Sequence, residues 1–443
     1  MNPLHPAYAR QGREIGTLHF GLGAFHRGHQ AVYLDQALRQ GAGEWGIFGI
    51  SPRSTQVSDA LRSQNFCYTV NARQGRHQDP VVIGSIFDGG LYDLENNSLR
   101  SAILSSSLKL ITITVTEKSY RVGTEPESMP NRLIDILKIR FENELAAPII
   151  ISCDNLPANG DYLRKVLEEC SELRALNPDF RSWLRHIEIP NSMVDRIVPA
   201  ITPLSIEEFE RDFGYRDQSL ISTEPFRQWV VAPHKGCNQL DDLGIEISSE
   251  VDNFEKLKLR LFNGVHSTTA YFSQLSGLEY VYQAIALPEW EAFISRLQIQ
   301  LIGTFTAPTS IDVSEYCRSA RLRIGNSAVA HRSAQIAMDG SAKLPQRLFQ
   351  AMNFLQQSNS PRDLIAFAIS LWIKFLQSGL PVMDPLGDEL MKRARCGDSH
   401  LAVSQVMQTP GLDSPISEVD WSLIAQFLDD LGRFTPIDIA AKL

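Results

Sequence analysis

The stretch Leu18-His19-Phe20-Gly21-Leu22-Gly23-Ala24-Phe25-His26-Arg27 joins a short apolar run to a helical pattern through a Gly-x-Gly turn. Gly21 permits a tight turn, and Gly23 lets the backbone come close to a pyrophosphate at the start of the helix. His26 occupies the place where the usual third glycine would stand. The stretch therefore predicts the first strand-turn-helix unit of a nucleotide-binding α/β fold, with an ordinary tight turn as the alternative interpretation.

Beyond this stretch, apolar runs continue to alternate with helical patterns. Buried strands are predicted at residues 18–20, 45–50, 110–116 and 148–153, and helices at residues 24–38, 132–145 and 161–175. The alternation predicts a Rossmann-like, mostly parallel sheet with helices on both faces. From about residue 245 onward the strand signals fade. We therefore predict an α/β domain at residues 1–242 and a mainly α-helical domain at residues 243–443.

The composition is that of an ordinary globular protein, with 443 residues, 43% apolar content and a net charge of −9. This charge and the lack of a dense basic block exclude a broad nucleic-acid-binding surface. Residues 1–10 lack the apolar segment of a signal peptide, and the longest apolar stretch, 364–376, is too short to span a membrane. Six scattered cysteines without a CxxC pair are typical of free thiols, so we predict a cytoplasmic protein without a membrane partner.

A second stretch, residues 255–266, combines polar side chains with an amphipathic helical pattern. It contains a potential base, Lys258, an amide, Asn263, and an imidazole, His266, with Glu255 one turn before the lysine. On an ideal α-helix, Lys258 and His266 lie about 80° apart and Asn263 about 60° beyond His266, so the three share one broad face. A small polyhydroxylated molecule could bind along this face. A buried core helix with satisfied polar groups is the alternative.

Several blocks of the chain resemble the mannitol dehydrogenase family, the long-chain polyol and sugar-acid dehydrogenases. They include the Gly-x-Gly stretch and the Lys-x4-Asn-x2-His spacing of residues 258–266. The remaining blocks lie at residues 114–120, 152–156, 191–199, 224–230 and 331–347. The resemblance implies a metal-independent, NAD(P)-dependent oxidoreductase that transfers a hydride between the cofactor and a secondary alcohol or ketone.

The resemblance also implies catalytic roles for individual residues. Lys258 is predicted to act as the base, provided that burial depresses its pKa. Asn155 and Asn263 are predicted to donate hydrogen bonds to the developing alkoxide. His266 is predicted to orient the substrate. Glu255 is predicted to relay the proton to solvent, with a simple salt bridge to the lysine as the alternative.

The cofactor is predicted to be NAD, with NADP possible. The second strand usually ends in an acid that binds the adenosine ribose, whereas residues 49–53 read Gly-Ile-Ser-Pro-Arg. Arg53 could bind the 2′-phosphate of NADP or lie on a solvent-exposed loop. The predicted cofactor-binding residues are Gly21, Gly23, Ala24, Phe25, Arg27, Ser51, Arg53 and Glu117. The predicted substrate-binding residues are Asp195, Gln335, Lys343 and Arg332.

The substrate prediction depends on Gln335, which stands eight residues before Lys343, where polyol-oxidising relatives have an arginine. This resembles the branch that interconverts D-fructuronate and D-mannonate, so an open-chain sugar acid is predicted. Mannitol or arabinitol oxidation and a non-catalytic NAD-binding sensor are the alternatives. A metal-dependent hydrolase using His19, His26 and His29 is a further one, although no carboxylate or cysteine completes a ligand set. The protein is predicted to be a monomer or a weak homo-oligomer.

Overall fold

The computed structural model describes residues 4–51 and 54–443. Contacts divide the chain into two compact units, Met1–Val251 and Asp252–Leu443. The boundary that we place from the sequence at residue 242 stays a prediction of where the domains end. Within the described residues, no helix combines the length and the apolar character that a membrane crossing requires.

The first unit is built on a five-stranded sheet in which every neighbouring pair of strands is parallel. Its strand order is β5-β2-β1-β6-β7, the order of a doubly wound nucleotide-binding sheet. The predicted parallel sheet is thereby confirmed. The strands of the unit are Ile15–Phe20 (β1), Gly46–Ser51 (β2), Tyr68–Gln74 (β3), His77–Ile83 (β4), Ile86–Leu91 (β5), Leu110–Ile113 (β6), Ile149–Ser152 (β7), Ser192–Asp195 (β8), Ile221–Thr223 (β9), Gln228–Val231 (β10) and Glu246–Ile247 (β11).

Alternate residues of the central strands enter two separate hydrophobic cores, one on each face of the sheet. In β6, Ile111 and Ile113 belong to one core and Leu110 to the other. In β7, Ile150 and Ile151 are divided in the same way. Because successive side chains of a strand point to opposite faces, helices must cover both sides. The helices of the first unit are Ala24–Gly28 (α1), Gln30–Arg39 (α2), Gln56–Arg62 (α3), Asn97–Leu104 (α4), Met129–Glu142 (α5), Asn159–Leu173 (α6), Pro178–Arg185 (α7) and Pro203–Phe213 (α8), with 3-10 turns at Glu117–Ser119 and Cys237–Leu243.

Two features of this unit differ from the sequence prediction. The predicted helix at 24–38 is interrupted at His29, whose backbone leaves the helical region and whose Nε2 contacts the carbonyl of Gln228 at 2.9 Å. Two small sheets, β4-β3-β9 and β11-β10-β8, were not predicted. The β3–β4 hairpin turns at Gly75, where φ is +57°. A glycine between alternating strands was the signal that could have located it.

The second unit is made of helices packed around α17 (Asp363–Gln377). All but three residues of this helix are buried. This confirms the mainly helical C-terminal region. Its elements are Val251–Leu257 (α9), the π-helix Lys258–Gly264 (π1), Val265–Leu275 (α10), Val281–Ile285 (α11), Pro288–Ile302 (α12), Val313–Ile324 (α13), a 3-10 turn at Ser327–Val329, Ser333–Ile336 (α14), Gly340–Leu344 (α15), the π-helix Pro345–Phe349 (π2), Gln350–Gln357 (α16), Asp363–Gln377 (α17), Gly387–Ala394 (α18), Ser399–Met407 (α19), Glu418–Asp430 (α20) and Pro436–Ala440 (α21).

Candidate active site

The Gly-x-Gly turn lies between β1 and α1, at the carboxyl edge of the central sheet. Gly21 has a φ of +106°, and its N–H donates to the carbonyl of Ile50 at 2.9 Å. A Cβ at this position would lie 2.1 Å from the carbonyl oxygen of Thr114. Because both the dihedral angle and the space exclude a side chain, only glycine can make this turn without displacing the neighbouring strand.

Gly23 has a different role in the turn, because it is exposed and an added Cβ would meet no atom within 4 Å. The open space beside its backbone fits the close approach of a pyrophosphate. Ala24 and Phe25 follow it in α1 and are half-buried. The side chain of Arg27 contacts the first unit itself, where Nη1 donates to the carbonyl of Ser219 at 2.7 Å. Its predicted contact with the cofactor stays a prediction.

The remaining predicted cofactor residues follow the neighbouring strands. Ser51 ends β2, and its buried Oγ has no hydrogen-bond partner within residues 4–51 and 54–443, which leaves it available to a ribose hydroxyl. Arg53 lies outside the described residues, and so does the side chain of Glu117, which begins a 3-10 turn after β6.

A cavity of about 400 Å³ opens at the same edge of the sheet, between Phe20 at the end of β1 and the loop that follows β6. Three basic residues, Lys118, Arg121 and Arg132, contribute to its lining. Neither the cavity nor its basic residues were predicted from the sequence. Positive charge beside the glycine turn suits the phosphate groups of a dinucleotide.

Asp154 fixes the two loops that follow β6 and β7. Its carboxylate accepts hydrogen bonds from the backbone N–H groups of Val115 and Thr116, both at 3.1 Å, and from the Tyr120 hydroxyl at 2.7 Å. Burial raises the pKa of Asp154, and these hydrogen bonds oppose that effect. The predicted strand 110–116 ends at Ile113, and Thr116 lies beyond this end with a φ of +83°. Strained backbone of this kind is concentrated at functional sites.

The other predicted residues of the first unit have different environments. Asn155 follows Asp154 and is exposed on the loop after β7. Asp195 is buried at the end of β8, opposite Gln228 of β10 in an antiparallel pair. Its neighbour Arg196 donates to the carbonyl oxygens of Gly28 and Glu224, and therefore has a structural role.

The histidines near the turn lie in the interior of the first unit, where they contact neighbouring groups. His19 contacts Thr112 Oγ1 and the Gly21 carbonyl, both at 2.7 Å, and its ring stacks on that of His26. Burial lowers the pKa of His19 to about 3. In the part of the chain that the structure describes, no group of three or more His, Cys, Asp or Glu residues is placed to hold a metal ion.

The predicted catalytic helix of the second unit is not a continuous α-helix. Residues 258–264 form the π-helix π1 between α9 and α10, so the α-helical geometry assumed from the sequence was wrong for this segment. In an α-helix, Lys258 and Asn263 would lie about 140° apart. A π-turn closes from residue i to i+5, and it therefore brings these two residues about one turn apart on one side of the helix.

The three predicted catalytic side chains of this segment are buried. Lys258, Asn263 and His266 are 7%, 9% and 6% exposed, whereas Glu255 is half-buried in α9. The Nε2 atom of His266 is buried and has no hydrogen-bond partner among the described residues. A buried polar atom without a partner is costly, so this nitrogen is available to a ligand hydroxyl.

A second imidazole and three basic side chains act on His266. The ring of His331 meets it edge to face at a centroid distance of 5.3 Å, and Arg323 stacks on Phe262 at 4.0 Å from the ring centroid. Burial lowers the pKa of His266 well below its ordinary value, and His331, Arg347, Arg323 and Lys343 act in the same direction. Burial likewise lowers the pKa of His331 to about 4. Both imidazoles are therefore neutral at physiological pH.

The predicted substrate residues of the second unit differ in position. Lys343, on α15, donates to the carbonyl of Met338 at 2.6 Å and is close enough to His266 to affect its pKa. Gln335 is exposed on α14. Arg332 is more than half exposed and forms an ion pair with Glu279 at 3.4 Å. His331, Arg323 and Arg347 were not assigned from the sequence, although His331 and Arg347 lie within a block that resembles the family.

Comparisons with known proteins agree over most of both units. Residues 15–241 match the family model described as the mannitol dehydrogenase Rossmann domain, and residues 250–412 match the mannitol dehydrogenase C-terminal domain. The D-mannonate oxidoreductase of Escherichia coli K12 is 30% identical over 87% of this chain and 86% of its own. A mannitol 2-dehydrogenase of Aspergillus fumigatus is also 30% identical, over 88% and 86%.

The fold is also that of a solved structure, the Pseudomonas fluorescens mannitol 2-dehydrogenase in a ternary complex with NAD and D-mannitol. The TM-score is 0.86, with 24% identity, covering 99% of this chain and 95% of that one.

Proposed function

The chain belongs to the mannitol dehydrogenase family, and we propose that it is an NAD-dependent oxidoreductase that interconverts an open-chain sugar acid and its keto form. D-Mannonate and D-fructuronate are the proposed pair. The open backbone at Gly23 and the basic cavity beside β1 support a dinucleotide in the first unit. Bound NAD would accept the hydride from the alcohol carbon, and NADH would return it to the ketone.

In this proposal, Lys258 accepts the proton of the reacting hydroxyl when the alcohol is oxidised and returns it when the ketone is reduced. Its burial favours the neutral amine that a base requires. Asn263, one π-turn away, is assigned as a hydrogen-bond donor to the developing alkoxide. Neutral His266 would bind a neighbouring hydroxyl through its available Nε2. The roles proposed for Asn155 and Asp195 rest on the sequence resemblance, as does the proton relay through Glu255.

The observation that favours a sugar acid is the charge around His266. Arg323, Arg347 and Lys343 are all cationic at neutral pH, and all three act on this imidazole. A carboxylate of the substrate would be stabilised in such a positive environment, whereas a neutral polyol would gain little from it. Gln335, at the position where polyol-oxidising relatives carry an arginine, is exposed and adds no charge.

The test is the absorbance of the reduced nicotinamide with purified protein and separate additions of D-fructuronate, D-tagaturonate, D-fructose and D-xylulose. We expect kcat/KM for a uronate to exceed that for fructose by about 100-fold. Parallel runs with NADH and NADPH determine the coenzyme. A preference for fructose or xylulose would replace the proposal with a polyol dehydrogenase, which the equal identity to a mannitol 2-dehydrogenase supports. NADH binding without any turnover would instead support a sensor.

A matched pair of variants tests the carboxylate contact. Lys343→Gln should raise KM for the uronate by about 30-fold, because the substrate carboxylate loses a half-buried charge partner. Lys392→Gln removes an equal charge from the same unit, but Lys392 is exposed on α18. We expect this control to change KM less than about twofold. Equal effects of the two variants would contradict the assignment of Lys343.

A further inference from the structure

Backbone carbonyl groups of the π-helix π1 accept hydrogen bonds from side chains of other elements. In a π-turn the N–H groups reach back five residues, so the hydrogen-bond ladder changes register where π1 passes into α10. The last carbonyl groups of such a segment need additional donors, because buried backbone polar groups are rarely left unpaired.

Side chains provide these donors along π1. Gln298 of α12 donates from Nε2 to the Leu261 carbonyl at 2.9 Å. Thr268 of α10 donates to the Gly264 carbonyl at 2.9 Å. Arg347 donates from Nη1 to the carbonyl of Asn263 at 3.3 Å and to Ser267 Oγ at 2.7 Å. The carbonyl group that accepts from Arg347 therefore belongs to Asn263, the residue proposed to donate a hydrogen bond to the alkoxide.

Arg347 comes from the second π-helix, π2, which packs directly against π1. A Cβ added to Gly264 would lie 3.4 Å from the carbonyl oxygen of Arg347 and 3.5 Å from the Leu348 side chain. The two backbones thus approach each other closely at Gly264. Because π2 is itself part of the helical core, with Leu348 and Phe349 fully buried, it offers a rigid support for the guanidinium.

We infer that Arg347 is a positioning residue: its hydrogen bonds to Asn263 and Ser267 hold the wide turn that places Asn263 one turn from Lys258. The inference rests on the catalytic roles proposed above for Lys258 and Asn263. A relaxed α-helical turn would rotate Asn263 away from Lys258, and the proton acceptor and the alkoxide donor would then no longer act on one oxygen.

A direct role of Arg347 in binding the substrate carboxylate is the competing explanation. The two roles differ in their kinetic effects. A positioning residue acts on the transition state and lowers kcat, whereas a carboxylate ligand that binds the ground state equally raises KM. Lysine at 347 would keep the charge, but its ammonium group would not occupy the position of Nη1, whose two N–H groups reach both acceptors.

The experiment compares Arg347→Ala, Arg347→Lys and the control Arg296→Ala. Arg296 lies in the same unit and donates to the carbonyl of Ala440 at 3.1 Å, away from π1. We expect Arg347→Ala to lower kcat by about 100-fold with the KM for NADH unchanged, and added guanidinium to restore part of the loss. The kcat of Arg347→Lys should lie between those of the wild type and Arg347→Ala. The kcat of Arg296→Ala should equal that of the wild type.

Hydrogen exchange of the amides at 259–268 provides a readout that does not depend on the substrate. Exchange should accelerate there in Arg347→Ala and remain unchanged in Arg296→Ala. A raised KM for the uronate with an unchanged kcat would overturn the inference, and so would unchanged exchange at 259–268. If the wild type reduces none of the offered ketones, the proposed function fails, while the exchange data still decide whether Arg347 holds the turn.

Discussion

The glycine turn after β1 and the wide helical turn π1 are both unusual backbone segments, but different parts of the chain determine them. At Gly21 the cause is local, because a φ of +106° and a Cβ position 2.1 Å from a carbonyl oxygen exclude other residues. In π1 no residue requires the π conformation. Its carbonyl groups are held by Gln298 and Arg347, which lie 37 and 84 residues away from the groups they bind. A local motif can be read from a sequence, whereas a conformation held by distant donors cannot.

The largest effect is expected from replacing Lys258. This change should remove the chemistry proposed at π1 and leave cofactor binding at the glycine turn unchanged. Lys258→Ala should lower kcat by about 1,000-fold, because the proton of the reacting hydroxyl loses its acceptor. The dissociation constant of NADH should remain that of the wild type. Lys256 is exposed two residues earlier, in α9, and Lys256→Ala is the matched control, with activity unchanged. A Lys258→Ala enzyme with near-normal kcat would remove the proposed base.

A second prediction concerns the buried histidine beside π1. The pKa of His331 is lowered from 6.5 to about 4, so between these values the unfolded chain binds a proton that the folded chain does not. The free energy of unfolding should therefore fall as the pH is lowered from 6.5 to 4, by about 3 kcal/mol from this group. In His331→Gln that component should be absent. Denaturant titrations of both proteins at pH 7 and pH 5 measure it, and parallel pH profiles would show that His331 does not contribute.

The two glycines of the turn should respond differently to alanine. Gly21→Ala should cost about 2 kcal/mol of unfolding free energy or more, because the positive φ and the Thr114 carbonyl both oppose a side chain. Gly23→Ala has room within the protein and should keep the stability of the wild type. It should instead raise the dissociation constant of NADH by about tenfold, since the methyl group faces the predicted pyrophosphate. Unchanged NADH binding in Gly23→Ala would place the cofactor elsewhere.

The central parallel sheet and the mainly helical C-terminal region were predicted correctly from the sequence. The buried runs of β1, β2, β6 and β7 indicated the parallel sheet, because strands covered on both faces are apolar throughout. The hairpin of β3 and β4 was missed, since its strands carry polar residues such as Asn71 and Asp79. Arg347 lies within a block that resembles the family, but its contact with π1 was not predicted, because its acceptor is a backbone carbonyl in a different element. The roles of the site residues remain predictions.

The most direct test of the role of the wide turn is a double-mutant cycle on kcat with Asn263→Ala and Arg347→Ala. If Arg347 acts by positioning Asn263, Arg347→Ala should lower kcat by about 100-fold in the wild type. In the Asn263→Ala background the same change should lower kcat by less than about tenfold. The same 100-fold loss in both backgrounds would contradict the account, because Arg347 would then act independently of the residue it is proposed to position.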